Sequence, residues 1–446
     1  MLHLAFELPT SSSYKLILNS TLLKTLVNSL PFKAFLFSFF YGILFYILQF
    51  FLFHTGVFNI SINSNSLVCW DVSFYKSISE TGYDHASHNT GFFILFPLIW
   101  KFSHLGVWGM CALNIACFAA GFGLLMQILN EKEKHIWLLL LTLPPVFYAF
   151  VPLTEAMFFL LATISMWAII KKKFWLIWTT LFLMSIIRAS TVFILPALLA
   201  AEVLTHHKNH FFKSIVAFLY KYCVPSLTGL AIFIYWQYYV TGIWFAYFKK
   251  QAENWGKAFS LPELPLSNIE GGDWRYHWLS AISMFIALLA VLLLLKKFIL
   301  WLKGEIQTDA NLIYAAGFLC MVLIFIIFFN PKYGGNRTFV MGANRYILIT
   351  PFCFYFIVYL SRLEISYKQS LIVFIGANLF WALFKGFFDF HSFFIIGLIP
   401  TLLITAFLFY TRNKQRDSWS IMAIVAFNFL IQMVFFQEWL SPIFMD

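Results

Sequence analysis

The chain reads as long apolar blocks separated by short polar clusters. A helix that crosses a bilayer needs about 20 mostly apolar residues, fewer where neighbours bury it. By that ruler the blocks at 34–56, 105–129, 137–150, 156–170, 174–188, 190–205, 217–240, 278–300, 311–329, 345–361, 369–387, 392–410 and 419–436 are predicted spans. The pattern predicts an all-α polytopic membrane protein, a bundle of about 11–13 transmembrane helices, with residues 1–446 forming one membrane domain. Between 57 and 91 the periodicity changes. Trp70, Phe74, Tyr75 and Ile78 recur at helical spacing among polar residues, which predicts an amphipathic helix lying on the membrane surface.

Composition strengthens this picture. Hydrophobic residues make up 61% of the chain and charged ones 11%, against roughly 25% charged in soluble domains. The net charge of +11 does not call for nucleic acid, because Lys and Arg sit in clusters between apolar blocks instead of along one basic face. Membrane lipids are the expected surroundings. The six cysteines are scattered, without a CxxC pair, so neither a disulfide framework nor a zinc site is expected. The first thirty residues, with Lys15 and Lys24, lack the signal-peptide pattern, and the first apolar block is expected to remain as a helix.

Charge also orders the loops. With a cytoplasmic amino terminus, Lys132 and Lys134, Lys171 to Lys173, Lys208 and Lys213, Lys296, Lys297 and Lys303, Arg362 and Lys368, and Arg412, Lys414 and Arg416 all fall on the inner side. The outer side then holds 57–91, 241–277 and 330–344. Those loops are too long for plain connectors and too aromatic for disorder, so function is expected there.

In the first of them Asp71 begins the predicted surface helix. A carboxylate there has two readings: a partner for the helix dipole, or a general base whose apolar neighbours Trp70 and Phe74 raise its pKa. Glu155 stands where polar chain meets an apolar block, a costly place for a carboxylate without a partner; capping with Thr154 is the simpler reading. His85 and His88 are spaced to share a helical face, but no third metal ligand is evident. Cations near the outer boundary are Arg188, Lys249, Lys250, Lys257, Arg275, Lys332, Arg337 and Arg345. A guanidinium there can fork onto a phosphate while its stem stays in hydrocarbon, and a snorkelling anchor has the same sequence signature. Asn59-Ile60-Ser61 and Asn336-Arg337-Thr338 are glycosylation sequons, and Gly334-Gly335 reads as a turn. There is no Walker loop or GxGxxG run, so an activated substrate is expected to come from the lipid phase.

The run WDxxxYxxIxxxGY from Trp70 to Tyr83, followed by Phe92-Phe93-Ile94-Leu95-Phe96-Pro97, resembles the first luminal loop of the PIG-V-like mannosyltransferases, which include the second mannosyltransferase of GPI-anchor synthesis and bacterial relatives. The resemblance continues in order. Pro152 to Phe158 is similar to the family's P-x-T-E-x-L-F motif and Arg188-Ala189-Ser190 to its R-S-N element. Phe245 to Gln251 with Trp255-Gly256 is similar to its A-F-x-x-A-Q-x-x-W-G segment, and Arg345-Tyr346 to its P-R-Y motif. Departures are Asp84, His85 and His88 where the family has a carboxylate after Gly-Tyr, Ile94 for a proline and Asn344 for another.

The resemblance implies a GT-C fold. It implies an inverting glycosyltransferase that passes a sugar, mannose in the family, from a dolichyl- or undecaprenyl-phosphate donor to a hydroxyl of a lipid-linked or glycan acceptor. It implies Asp71 as catalytic base and Trp70, Tyr75, Asp84, His85, His88, Glu155, Arg188, Lys249, Gln251, Trp255 and Arg345 as substrate-binding residues, with no metal or cofactor. Lys in excess of Arg and the abundance of Phe favour a bacterial inner membrane over the endoplasmic reticulum, with the site facing the periplasm or lumen. Rival readings are a lipid or sugar transporter or flippase, a polysaccharide polymerase or ligase, and a non-catalytic glycosyltransferase subunit.

Overall fold

A computed structural model describes residues 28–84, 88–255, 259–266, 274–329, 340, 342–385, 390–412 and 418–441. Helices account for the regular structure, with no strand among the described residues. Seven helices are long and apolar enough to cross a membrane, and four shorter apolar ones accompany them. The chain is an all-α polytopic membrane protein.

The first long helix, α1 (Leu30–His54), leads into an outer loop that carries α2 (Asp71–Thr81) and α3 (Leu95–Ser103). α4 (Val107–Leu129) returns through the bundle, and α5 (Lys134–Leu141) starts back. Then come α6 (Glu155–Ile170), α7 (Phe174–Ile187), α8 (Thr191–Leu204), and α9 (Phe211–Phe218) joined by a π turn to α10 (Val224–Thr241). The rest of the chain forms α11 (Ala246–Trp255), α12 (Trp274–Leu302), α13 (Ala310–Phe329), α14 (Ala343–Ile347), α15 (Pro351–Arg362), α16 (Tyr367–Lys385), α17 (Phe390–Arg412) and α18 (Ser418–Trp439). Small residues let helices approach closely, as expected where lipid offers no hydrophobic drive. A Cβ on Gly121 would meet Phe159 and Leu160 of α6, and one on Gly317 would lie 2.9 Å from the Ala197 backbone of α8.

Four predicted boundaries differ. Block 137–150 is not one spanning helix: α5 stops at Leu141, and Pro144 and Pro145 open a 3-10 turn over Pro144–Ala149. Proline supplies no amide and clashes with a preceding helical turn, so the ladder breaks. The freed carbonyls then need partners from within the bundle. Side chains supply them: Gln432 Nε2 donates to the Leu141 and Leu143 carbonyls at 3.1 Å each. Tyr46 donates to Phe150 O at 3.0 Å, and Asn114 Nδ2 donates to Val151 O and to Leu153 O. These polar side chains in apolar helices therefore hold a broken segment in place.

Block 345–361 is also interrupted. Pro351 disfavours helical backbone at Thr350, which is extended and caps α15 by accepting from Cys353 N. The other two differences are helices in stretches read as loop, α3 and α11.

The ends of the helices sort into two faces. At one, Arg362 pairs with Glu131 at 2.8 Å and Trp301 Nε1 donates to His206 O. At the other, Gln237 Nε2 donates to Thr90 O, Ser260 N to Phe328 O, and Trp70 Nε1 to Trp439 O. Arg362, Glu131, Trp301 and His206 lie at ends that the charge pattern puts on the inner side, and Trp70, Thr90 and Ser260 in loops that it puts on the outer side.

Candidate active site

The amphipathic pattern of 70–81 folds as α2, but its apolar face, Val72, Tyr75 and Ile78, is buried against protein instead of resting on lipid. Phe74 stacks on Phe92 at 4.8 Å, and Tyr75 packs edge-on against Phe92 and Phe96. Just before the helix, Trp70 takes a positive φ of 51°, a conformation that costs a bulky residue about 1–3 kcal/mol and persists only where surroundings impose it. Here the indole Nε1 donates to the Trp439 carbonyl at 2.8 Å and Ser73 Oγ donates to the Trp70 carbonyl. The strained residue sets the start of α2, and so the position of Asp71.

Trp70 is thus tied to Trp439 and Phe74 to Phe92. What faces the carboxylate is a guanidinium: Arg345 Nη1 lies 2.6 Å from Asp71 Oδ2. Arg345 Nε reaches Glu155 Oε1 at 2.5 Å, and Arg188 Nη1 reaches the same oxygen at 3.1 Å. Two carboxylates and two guanidiniums from four separate elements therefore form one cluster.

Each member is placed by a local break. Glu155 is the first residue of α6, after the irregular 142–154 segment. Thr154 makes no side-chain cap, so Glu155 is held by the two arginines and not by a capping box. Arg188 ends α7 in extended backbone before Ser190 starts α8. Arg345 sits in the one-turn α14 that Pro351 separates from α15. Aromatic rings line the cations, with Tyr148 5.0 Å from Arg345 and Tyr346 5.3 Å from Arg188. Such faces favour a desolvated guanidinium.

Exposure is graded across the cluster. The Glu155 side chain is 0% exposed, Arg188 15%, Arg345 22% and Asp71 28%. Glu155 is thus the floor and Asp71 the rim. Glu155 Oε2 finds no hydrogen-bond partner among the described residues. Burial pushes the Tyr75 phenol up, with the Asp71 and Glu155 charges adding to it. Tyr75 therefore stays neutral beside the cluster, able to exchange hydrogen bonds but not to carry charge.

The other expected site residues lie elsewhere or outside the described residues. Lys249 is exposed and pairs with Glu253 at 3.9 Å, and Lys250 pairs with the same carboxylate at 3.4 Å. Neither joins the cluster. Gln251 Nε2 donates to Gly91 O at 3.0 Å, while Gln237 spans Thr90 O and Tyr247 N. This segment clamps α11 onto the end of the first outer loop, a positioning part that the motif alone did not distinguish from a substrate contact. Asp84 is exposed, its backbone amide donating to Asn89 Oδ1. His85, Lys257, Lys332 and Arg337 lie outside the described residues, as do the side chains of His88, Trp255 and Arg275. No group of three His, Cys, Asp or Glu able to hold a metal forms among the described residues.

Sequence reading missed Tyr148 and Trp439. Tyr148 was hidden in a block taken for a span, and Trp439 ends the last helix with nothing local to mark it. The cluster can bind and polarise an anion through its guanidiniums and accept a proton at the rim carboxylate. No protein-family model, no curated protein and no solved structure matches this chain.

Proposed function

We propose that this chain is an inverting membrane glycosyltransferase, akin to the PIG-V-like mannosyltransferases and of GT-C type, that moves a sugar, mannose by that resemblance, from a polyprenyl phosphate to the hydroxyl of a lipid-linked or glycan acceptor. The observation that carries the proposal is the meeting of Asp71, Glu155, Arg188 and Arg345, four residues drawn from four family-like motifs far apart in sequence. A stabilising role alone is a weak reason to collect them, because buried ion pairs contribute little net stability.

The chemistry follows from the chain's own groups. A phosphate leaving group gains charge as the sugar departs, and Arg345 and Arg188 are placed to stabilise it near the membrane boundary. An acceptor hydroxyl is a poor nucleophile at neutral pH, and Asp71 is the partly exposed carboxylate that can take its proton. Glu155 contacts no reacting atom in this scheme. It fixes both guanidiniums from below. By the positive-inside rule the cluster faces away from the cytoplasm, and the Lys and Phe usage favours a bacterial inner membrane. A transporter reading would draw on the broken segment at 142–154, but its Leu143, Phe150, Val151 and Leu153 carbonyls accept from Gln432, Tyr46 and Asn114.

The test is incubation of the purified protein in liposomes with radiolabelled polyprenyl-phosphate sugars and a pool of lipid acceptors. Label appearing in a new lipid together with free polyprenyl phosphate supports transfer. Label that crosses the bilayer without any change of covalent form would instead establish a transporter.

A further inference from the structure

Resting on that reading, we propose that Asp71 and the donor phosphate are alternative partners of one guanidinium, so that donor binding to Arg345 releases the base.

The contacts of Arg345 are unequal. Its Nε is fixed to Glu155, which is wholly buried and cannot be reached by a substrate. One face of its guanidinium rests on Tyr148. Its Nη1 is held at 2.6 Å by Asp71, the more exposed of its two carboxylate partners. An anion that approaches from the outer surface therefore meets the Asp71 contact before the Glu155 one.

Charge points the same way. Within the cluster Asp71 and Glu155 offset Arg188 and Arg345. A phosphate diester adds one negative charge, and two anions at a single Nη1 repel each other. The partly exposed ion pair is the cheaper one to open, since water can solvate the freed carboxylate. While Asp71 Oδ2 is occupied by Arg345 it cannot also meet the acceptor hydroxyl, so exchange couples donor binding to activation.

The transfer step then balances. The acceptor oxygen forms its bond to the anomeric carbon, and the bond from that carbon to the phosphate oxygen breaks. Its electron pair stays on the phosphate, and the acceptor's proton passes to Asp71. The phosphate gains one negative charge as Asp71 loses one, so the summed charge of the site is constant through the step while Arg345 stays with the phosphate.

The experiment measures binding without turnover. Farnesyl phosphate is titrated into the full-length protein in nanodiscs, for wild type, Asp71→Asn and Arg345→Gln. Asp71→Asn is expected to tighten binding about tenfold or more, because the competing charge is gone, and Arg345→Gln to abolish it. Equal or weaker binding by Asp71→Asn, with Arg345 still required, overturns the exchange and leaves the glycosyltransferase reading standing. Absence of binding to wild type and Asp71→Asn alike overturns both. Should Asp71→Asn fail to fold, the wild-type infrared difference spectrum on adding farnesyl phosphate decides. A shifted carboxylate stretch is expected, and an unchanged carboxylate region with ligand bound would overturn the exchange.

Discussion

Arg345 and Glu155 lie 190 positions apart in sequence and meet at 2.5 Å, with the carboxylate wholly buried and the guanidinium reaching from it to Asp71 at the rim. The planar fork is what makes this bridge possible, since one cation presents separate N–H groups to two anions.

A lysine cannot reproduce that geometry. Arg345→Lys keeps the charge but gives a point donor that can serve Glu155 or the rim, not both. Each charge-assisted bond contributes about 1.5–3 kcal/mol, so with one bond lost kcat/KM for the polyprenyl-phosphate donor is expected to fall about ten- to a hundredfold. Steady-state kinetics in proteoliposomes check this; activity within a few-fold of wild type would show that the fork is not used.

Glu155 is expected to act through the arginines. Glu155→Gln leaves Arg188 without its carboxylate partner and Arg345 with Asp71 alone, a loss of about 3–5 kcal/mol. The double change Glu155→Gln with Arg188→Gln restores the charge balance and should recover part of the lost unfolding midpoint in detergent. It should not recover kcat, because one phosphate-facing cation is gone. Full recovery of both would reduce Glu155 and Arg188 to a structural pair.

The broken segment between α5 and α6 gives a stability prediction independent of chemistry. Gln432→Leu removes the donor to the Leu141 and Leu143 carbonyls, and Asn114→Leu the donor to Val151 and Leu153. Each leaves buried acceptors unserved, at about 1–3 kcal/mol per group. Unfolding midpoints should drop clearly for both. Unchanged midpoints would mean that the segment is held by packing alone.

Topology is checked by thiol labelling in intact cells. A cysteine at Ser64, exposed in the first outer loop, should react with an impermeant reagent, and one at Lys172 only after permeabilisation. The reverse pattern would place the cluster on the cytoplasmic face.

Much of this architecture was legible because membrane solvation is strict. Apolar blocks such as 105–129 and 311–329 have one good solution in lipid, and they emerge as α4 and α13 within a few residues. The breaks at Pro144 and Pro351 were less visible, because a hydropathy scan weighs side chains and not the amide that proline lacks. For the site, Asp71, Glu155, Arg188 and Arg345 could be picked out one by one as charges beside hydrocarbon. Their union could not, since a bridge over 190 positions depends on tertiary packing and on the turn that sets α14 apart. Lys249 and Gln251 show the converse: both stand in a family-like motif, yet one pairs with Glu253 and the other ties down Gly91.

The most direct test of the central claim compares Asp71→Asn with Glu80→Gln in sugar transfer from a polyprenyl-phosphate donor. Both remove one carboxylate charge from α2, but Glu80 is exposed and pairs with Lys76 at 3.4 Å away from the cluster. Asp71→Asn keeps the shape and loses the basicity, and turnover is expected to fall about a hundredfold or more, with Glu80→Gln within a few-fold of wild type. Transfer by Asp71→Asn at a near-wild-type rate would contradict its assignment as the base and remove the main support for this site as the catalytic centre.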